Sequence, residues 1–442
     1  MDKLLYTFFN NRLPTIDRGK GIYLFDKKGN KFTDLTGGFT GHALLGWGNK
    51  IIINSIKKQL NKITHVDYKY FRDENRSRLA NVLLSKNNNK LNKVFFIGSS
   101  GAEACEAALK MSFQVHFNNG HKKKKISISR LQSYHGCSSH SIAIGDRPNL
   151  EFYKPILNQN VRKVSEHNFL RNKKKDENIS EYAMRSANEL EKKIISLGPE
   201  NVANFTAETM SGGLVGDVPP APGYWRQIRR ICNKYNVHLI LDEVWCGTGS
   251  SGKYFCIDYE KITPDFLFLS KTLGAGYGAL SAVVTKNNLF KNVEKKHGQI
   301  YYSNTHQGHS ISIAAALAVQ KIINKKDFLY RVQENGQYLR NLIKEELSNH
   351  EFFFNVRGRG LRNSFEYRCK NQNLFGNALK KIMLNKHKIL IDSKWHRICF
   401  SPALNIKKIE IDKNLELLTK EFKLLARNWS KKKISNIKFK YF

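Results

Sequence analysis

Apolar positions along this chain follow two periods. Short apolar runs bounded by Gly, Asn or charged residues read as strands at 94–97, 125–129, 202–207, 238–241, 266–270 and 279–285. Longer stretches with apolar residues three and four apart read as helices at 102–117, 225–235 and 330–347, with another near 374–385. Residues 22–35 read as a hairpin, turning at Lys28-Gly29-Asn30. Strand-helix alternation from about residue 50 predicts an α/β fold, a mostly parallel sheet covered by helices on both faces. Beyond about 330 the pattern changes to a long helix, an extended stretch at 356–367 and short strands near 388–391 and 397–400, a second α+β lobe.

Length supports two lobes, since 442 residues exceed one ordinary core. Hydrophobic residues make up 41 %, which excludes a disordered chain. No apolar run approaches the roughly 20 residues that span a bilayer. The first 14 residues carry one brief apolar patch (Leu4 to Phe9) without the pattern of a signal peptide, and are expected to form an ordered arm. The seven cysteines are scattered, without C-x-x-C spacing, so a reducing cytoplasm is expected and neither a disulfide framework nor a metal site.

Charge changes the picture least. Lys plus Arg number 74 against 37 acidic residues, a net +37. Such a balance can attract nucleic acid or anionic lipid. Here Lys, Asn and Ile are frequent everywhere, in loops such as 87–89 and 121–125 as well. The clusters at 122–125, 173–175 and 431–433 also lack the interleaved aromatics of a stacking platform. Compositional drift accounts for the charge better than a nucleic-acid partner does.

Three segments carry candidate chemistry. In Phe96-Ile97-Gly98-Ser99-Ser100-Gly101-Ala102-Glu103 a strand ends, small residues turn and a helix starts. Free N–H groups and the helix dipole converge there, as a phosphate requires, although Ser and Gly also make an ordinary cap. In Leu239-Ile240-Leu241-Asp242-Glu243 a buried strand delivers a carboxylate to its C-terminal end, where parallel sheets bind ligands. In Phe268-Leu269-Ser270-Lys271-Thr272-Leu273-Gly274 a lysine leaves another apolar strand, where burial lowers an amine pKa; a snorkelling lysine on a mobile loop is the alternative. Phosphate cradle, carboxylate and strand-end lysine together are the parts of a pyridoxal-phosphate (PLP) site.

With its other motifs the chain resembles a class III aminotransferase of PLP fold type I, near the omega-amino-acid:pyruvate branch. The resemblance runs from Asp17-Arg18-Gly19 to about Pro402. It rests on 99–104, Ser133-Tyr134-His135-Gly136, Ala207-Glu208-Thr209, 218–224, Asp242-Glu243-Val244 with Gly247-Thr248-Gly249, 270–277, 304–309 and Val356-Arg357-Gly358-Arg359-Gly360-Leu361. It implies a large PLP-binding domain at 49–325 with a seven-stranded type of sheet. A smaller domain is then built from both termini, 1–48 and 326–442. Lys271 would hold the cofactor as a Schiff base and shuttle the proton, Asp242 would bind the ring nitrogen, and Glu208 would steady Asp242. Ser100, Gly101 and Ala102 would hold the phosphate. Tyr134 and Val244 would pack on the two ring faces, with His135 beside them. Thr305 would reach the phosphate of a neighbouring subunit, implying a homodimer with shared sites.

Five positions depart from the family pattern. Cys105 replaces an asparagine. Ser250-Ser251 replaces an Arg-Thr pair. Trp245 stands where some relatives place a glutamine on the ring hydroxyl. Cys399 stands where an arginine would read a substrate carboxylate, with Arg397 two residues early on the same strand face. Arg397 and Trp245 are thus candidate substrate residues. The expected activity is amino transfer from an amine or amino acid to a keto acid such as pyruvate. Another PLP reaction (aminomutase, racemase or decarboxylase) and a basic binding protein on a decayed scaffold are the rivals.

Overall fold

The computed structural model describes residue 5 and residues 14–85 and 90–429. The arm at 1–14, except Leu5 and Pro14, the 87–89 loop and the 431–433 cluster lie outside the described residues.

At the centre is a seven-stranded sheet. Its order is Lys93–Phe96, Ala282–Thr285, Phe266–Leu269, His238–Asp242, Val202–Glu208, Ile126–Arg130 and Val161–Val164. Only Ala282–Thr285 runs antiparallel, to both of its neighbours. Strand alternation sorts side chains between the two faces. Leu239 and Leu241 join the core that holds helices Ile179–Leu197 and Tyr224–Lys234. Ile240, Phe266 and Phe268 pack into the opposite core with helix Gly101–Asn118. This two-sided burial is why these strands read as continuous apolar runs. The same parity places Glu208 and Asp242, at the ends of adjacent strands, on the face of helix Gly101–Asn118; the two are register partners.

Both ends of the described chain build smaller sheets. The hairpin strands Ile16–Lys20, Tyr23–Asp26 and Lys31–Asp34 are extended by Ile389–Leu390, paired parallel to Lys31–Asp34. A second, antiparallel sheet has the order Phe353–Arg359, Arg362–Tyr367, Arg397–Phe400 and Asp392–Lys394. Helices Phe328–Leu347, Gln372–His387 and Lys408–Trp429 cover it through Phe365, Tyr367, Phe375 and Phe422.

Two readings of the apolar pattern change. The stretch 279–285 is strand only from Ala282, because 271–281 is loop that carries the strand-end lysine away from the sheet. The run 356–367 is a hairpin turning at Gly360. Gly360 has φ +53, and a Cβ there would lie 2.4 Å from the Ser251 carbonyl carbon, so the turn can press onto the large sheet's loops only without a side chain.

Candidate active site

The site lies where three strands of the seven-stranded sheet end. Asp242 is buried, and the Nδ1–H of His135 donates to its Oδ2 at 2.8 Å. The other oxygen, Oδ1, accepts from the Val244 amide at 2.8 Å. His135 is itself buried, its pKa lowered by desolvation against the pull of Asp242, and its Nε2 has no partner. The imidazole is therefore neutral, with the Nδ1 tautomer fixed by the carboxylate.

Glu208 lies beside this pair without bonding to Asp242. Its Oε1 accepts from the Gly212 amide at 3.1 Å, and Arg130 Nη2 donates to its backbone carbonyl. Burial pushes its carboxyl up to about 8, with the Asp242 charge adding to the rise and Arg130 opposing it. At neutral pH Glu208 is thus chiefly the neutral acid. The steadying contact on Asp242 comes from His135.

Lys271 follows strand Phe266–Leu269 and adopts φ +43, a left-handed conformation uncommon for a side-chain-bearing residue. The residue is half-buried, and its pKa falls from 10.5 to about 7. Desolvation is the largest cause, the Arg362 guanidinium the next, and Asp242 opposes both. The Nζ lies 4.6 Å from the centre of the Trp245 ring. An amine so poised is a substantial nucleophile near neutrality.

The turn before helix Gly101–Asn118 forms the third wall. Ser100 is the N-cap, and Glu103 accepts from its amide at 3.1 Å. A Cβ on Gly101 would lie 2.7 Å from Val244 Cγ2, and one on Gly136 would lie 2.5 Å from Ala102 Cβ. The Tyr134-His135-Gly136 loop and Val244 thus close on the helix start so tightly that only glycine fits. Tyr134 stays 39 % exposed, open to a ring placed beside it. Cys105, on the same helix, is fully buried and its thiol is pushed well up by desolvation, so it serves as a small apolar residue. Ser250 closes its own turn onto the Trp245 and Gly247 carbonyls at 3.0 and 3.1 Å.

The remaining candidates stand outside this group. Thr305 is exposed in a loop pinned where the Gly308 amide donates to Ile97 O at 3.0 Å. Arg397 is buried, its Nη2 donating to the Gly213 and Leu214 carbonyls at 2.7 Å each. Cys399 Sγ lies 3.2 Å from Ser364 Oγ, whose single proton goes to Asp217. Sequence reasoning missed Arg362, whose Cζ lies 4.0 Å from the Trp245 ring centre. Its only signal is a guanidinium in an otherwise apolar and small-residue stretch after the Gly358–Gly360 turn.

These residues fit pyridoxal phosphate on structural grounds. A helix start with glycine at its first position suits the phosphate, a buried carboxylate with a fixed partner suits a ring nitrogen, and a depressed amine suits the aldehyde. The comparisons with known proteins agree. The model of class III aminotransferases matches residues 9–422. An uncharacterized aminotransferase of Schizosaccharomyces pombe is 36 % identical over 81 % of this chain and 78 % of its own length. The putrescine–pyruvate aminotransferase of Pseudomonas aeruginosa is 27 % identical over 92 % of this chain and 89 % of its own. The crystal structure of the omega transaminase from Pseudomonas jessenii in complex with PMP superposes with a TM-score of 0.88 at 26 % identity, over 96 % of each chain. The chain belongs to the class III aminotransferases of PLP fold type I. It is a PLP-dependent enzyme that moves an amino group from a donor to a keto acid. Among the described residues no helix is long and apolar enough to cross a membrane.

Proposed function

We propose that Lys271 is the covalent anchor of the cofactor and the group that moves the proton during transfer. The observation carrying this is its amine, lowered to about 7 beside the His135–Asp242 pair. Pyridoxal phosphate bound here supplies an electron sink to the carbon that bears the transferred nitrogen. Asp242 holds the ring nitrogen in its charged form, and His135 keeps that carboxylate oriented. Ser100, Gly101 and Ala102 receive the phosphate at the helix start. Val244 and Tyr134 confine the ring from its two faces. Glu208, neutral at working pH, adds no second negative charge beside Asp242. The Lys271 amine, when not engaged with the cofactor, would be the group available to take a proton from the substrate carbon and return it.

In this reading the described parts of segments 1–48 and 326–442 belong to the small domain and those of 49–325 to the large one. A second copy of the chain completes the site through Thr305, whose exposure supports a homodimer. Seven free thiols suit a reducing cytoplasm. Pyruvate is the proposed acceptor, in keeping with the pyruvate-dependent relative.

Borohydride reduction of the PLP-loaded protein, followed by peptide mapping, tests the anchor. The reduced cofactor is expected on Lys271; a label on another lysine, or none, rejects the assignment. Amine donor alone should convert the bound aldehyde form to the amine form.

A further inference from the structure

Residue 399, where the family resemblance leads one to expect an arginine, is a cysteine and offers no cation to an oxo-acid carboxylate. Three buried guanidiniums line the seam between strand Arg362–Tyr367 and the loop at 211–218. Two of them hold that loop. Arg357 pairs with Glu366 at 2.8 Å, and its Nε donates to Gly216 O at 2.7 Å. Arg397 donates to Gly213 and Leu214 and leans on Trp395, its Cζ 5.2 Å from the ring centre. Arg397 also leaves its Nε and Nη1 without partners, but it lies over Gly216 and against the Trp395 ring.

Arg362 is different. Its side chain is fully buried, and its one hydrogen bond is from Nη2 to Gly41 O at 2.9 Å. Its Nε and Nη1 have no partner, and no carboxylate among the described residues pairs with it. Asp217, whose charge it feels, is already engaged: Trp245 Nε1 donates to one oxygen and Ser364 Oγ to the other, each at 2.6 Å. The guanidinium lies over the Trp245 ring, the same ring that Lys271 Nζ faces. Gly41 makes the room: a Cβ there would lie 2.3 Å from Arg362 Nη1 and 2.8 Å from Trp245 Cζ3. A buried cation with two free N–H groups is a poor stabiliser, because desolvation is only partly offset. At a position with no exposure, an apolar side chain would avoid that cost. An anion that enters from the Lys271 side would meet a fixed, charge-assisted donor pair.

We propose that Arg362, seated on Trp245 and given space by Gly41, is the receptor for the carboxylate of the oxo-acid acceptor. The proposal rests on the amino-transfer reading of the site. Trp245 then positions the arginine by cation–π contact, and a small oxo acid spans from Arg362 to the carbon that Lys271 serves.

The test uses protein loaded with pyridoxamine phosphate, so that no donor need be known. Pyruvate and acetaldehyde, which differ by the carboxylate, are each added, and return of the aldehyde form is followed by absorbance. In R362M the rate constant with pyruvate should fall about 10- to 150-fold more than that with acetaldehyde, the worth of hydrogen bonds to a charged group, any change in the Lys271 amine being common to both acceptors. R362K should recover part of the loss. Equal losses for both acceptors, or none for pyruvate, overturn the proposal. Melting of the ligand-free protein separates a receptor from a structural arginine: R362M should melt at or above the parent, and a clear drop argues for a structural role. Should the parent transfer to no oxo acid, the amino-transfer reading fails on its own. Binding of labelled pyruvate by equilibrium dialysis then decides Arg362: loss of binding in R362M supports it, and retained binding rejects it.

Discussion

The floor and the roof of this site are built on opposite principles. On the floor, the strand-end groups answer one another. Asp242 has His135 and an amide, and Glu208 is made neutral by burial. On the roof, the strands 353–359, 362–367 and 397–400 bring Arg357, Arg397 and Arg362 together, and two of these leave N–H groups unpaired. The contrast teaches what each surface is for. A carboxylate held by two donors fixes one geometry for chemistry that must be the same in every turnover, even with His135 Nε2 unpartnered. An under-satisfied cationic wall retains unfavourable desolvation until an anion arrives.

Removing the centre of the floor should have the largest effect. Lys271→Ala is expected to lower single-turnover transfer by at least about 10⁴-fold, since both the anchor and the proton carrier are lost. The roof should still bind pyruvate, which dialysis can read. Asp242→Asn should follow, with a loss of about 10²- to 10⁴-fold in the half-reaction, because a neutral amide no longer favours a charged ring nitrogen. Equal activity in this variant would undo the claim that the floor sets the chemistry.

Gly101→Ala should act on retention more than on chemistry. Its Cβ would press into Val244, and overpacking of about 1–3 kcal/mol corresponds to roughly a 5- to 150-fold weaker hold on the cofactor in dialysis.

The smallest effect links the two regions. In the cofactor-free chain Lys271 titrates at about 7 against 10.5 for a free lysine. The folded pKa is depressed, so the unfolded chain binds more protons between those values. This group therefore opposes folding most below about 7, and that opposition fades as pH rises towards 10.5. Reloading with PLP needs the neutral amine, so its rate should rise with pH through about 7. Arg362→Met removes a neighbouring cation, and the midpoint of that rise should move upward. A midpoint that stays put would show that roof and floor do not communicate electrostatically.

Much of the floor was legible in the residues themselves. Continuous apolar runs ending on Asp242 and Lys271, and a small-residue turn before a helix, specify strand ends and a helix start by local rules. The roof was not legible in that way. Arg362 looks like one of many basic residues in a chain of net charge +37, and Arg397 looked the better carboxylate partner because it is near position 399. Strand alternation places Arg362, Ser364 and Glu366 on one face, but not which loop they meet.

What the amino-acid order determined alone was periodicity and its consequences: which strands are buried on both faces, where they end, and which carboxylate and amine stand at those ends. Only the tertiary structure decided the partners. His135 and Asp242 are 107 residues apart, and Gly41 and Arg362 are 321 apart. No local preference encodes such contacts, because they exist only once separate sheets have packed and the buried polar groups have found, or failed to find, one another.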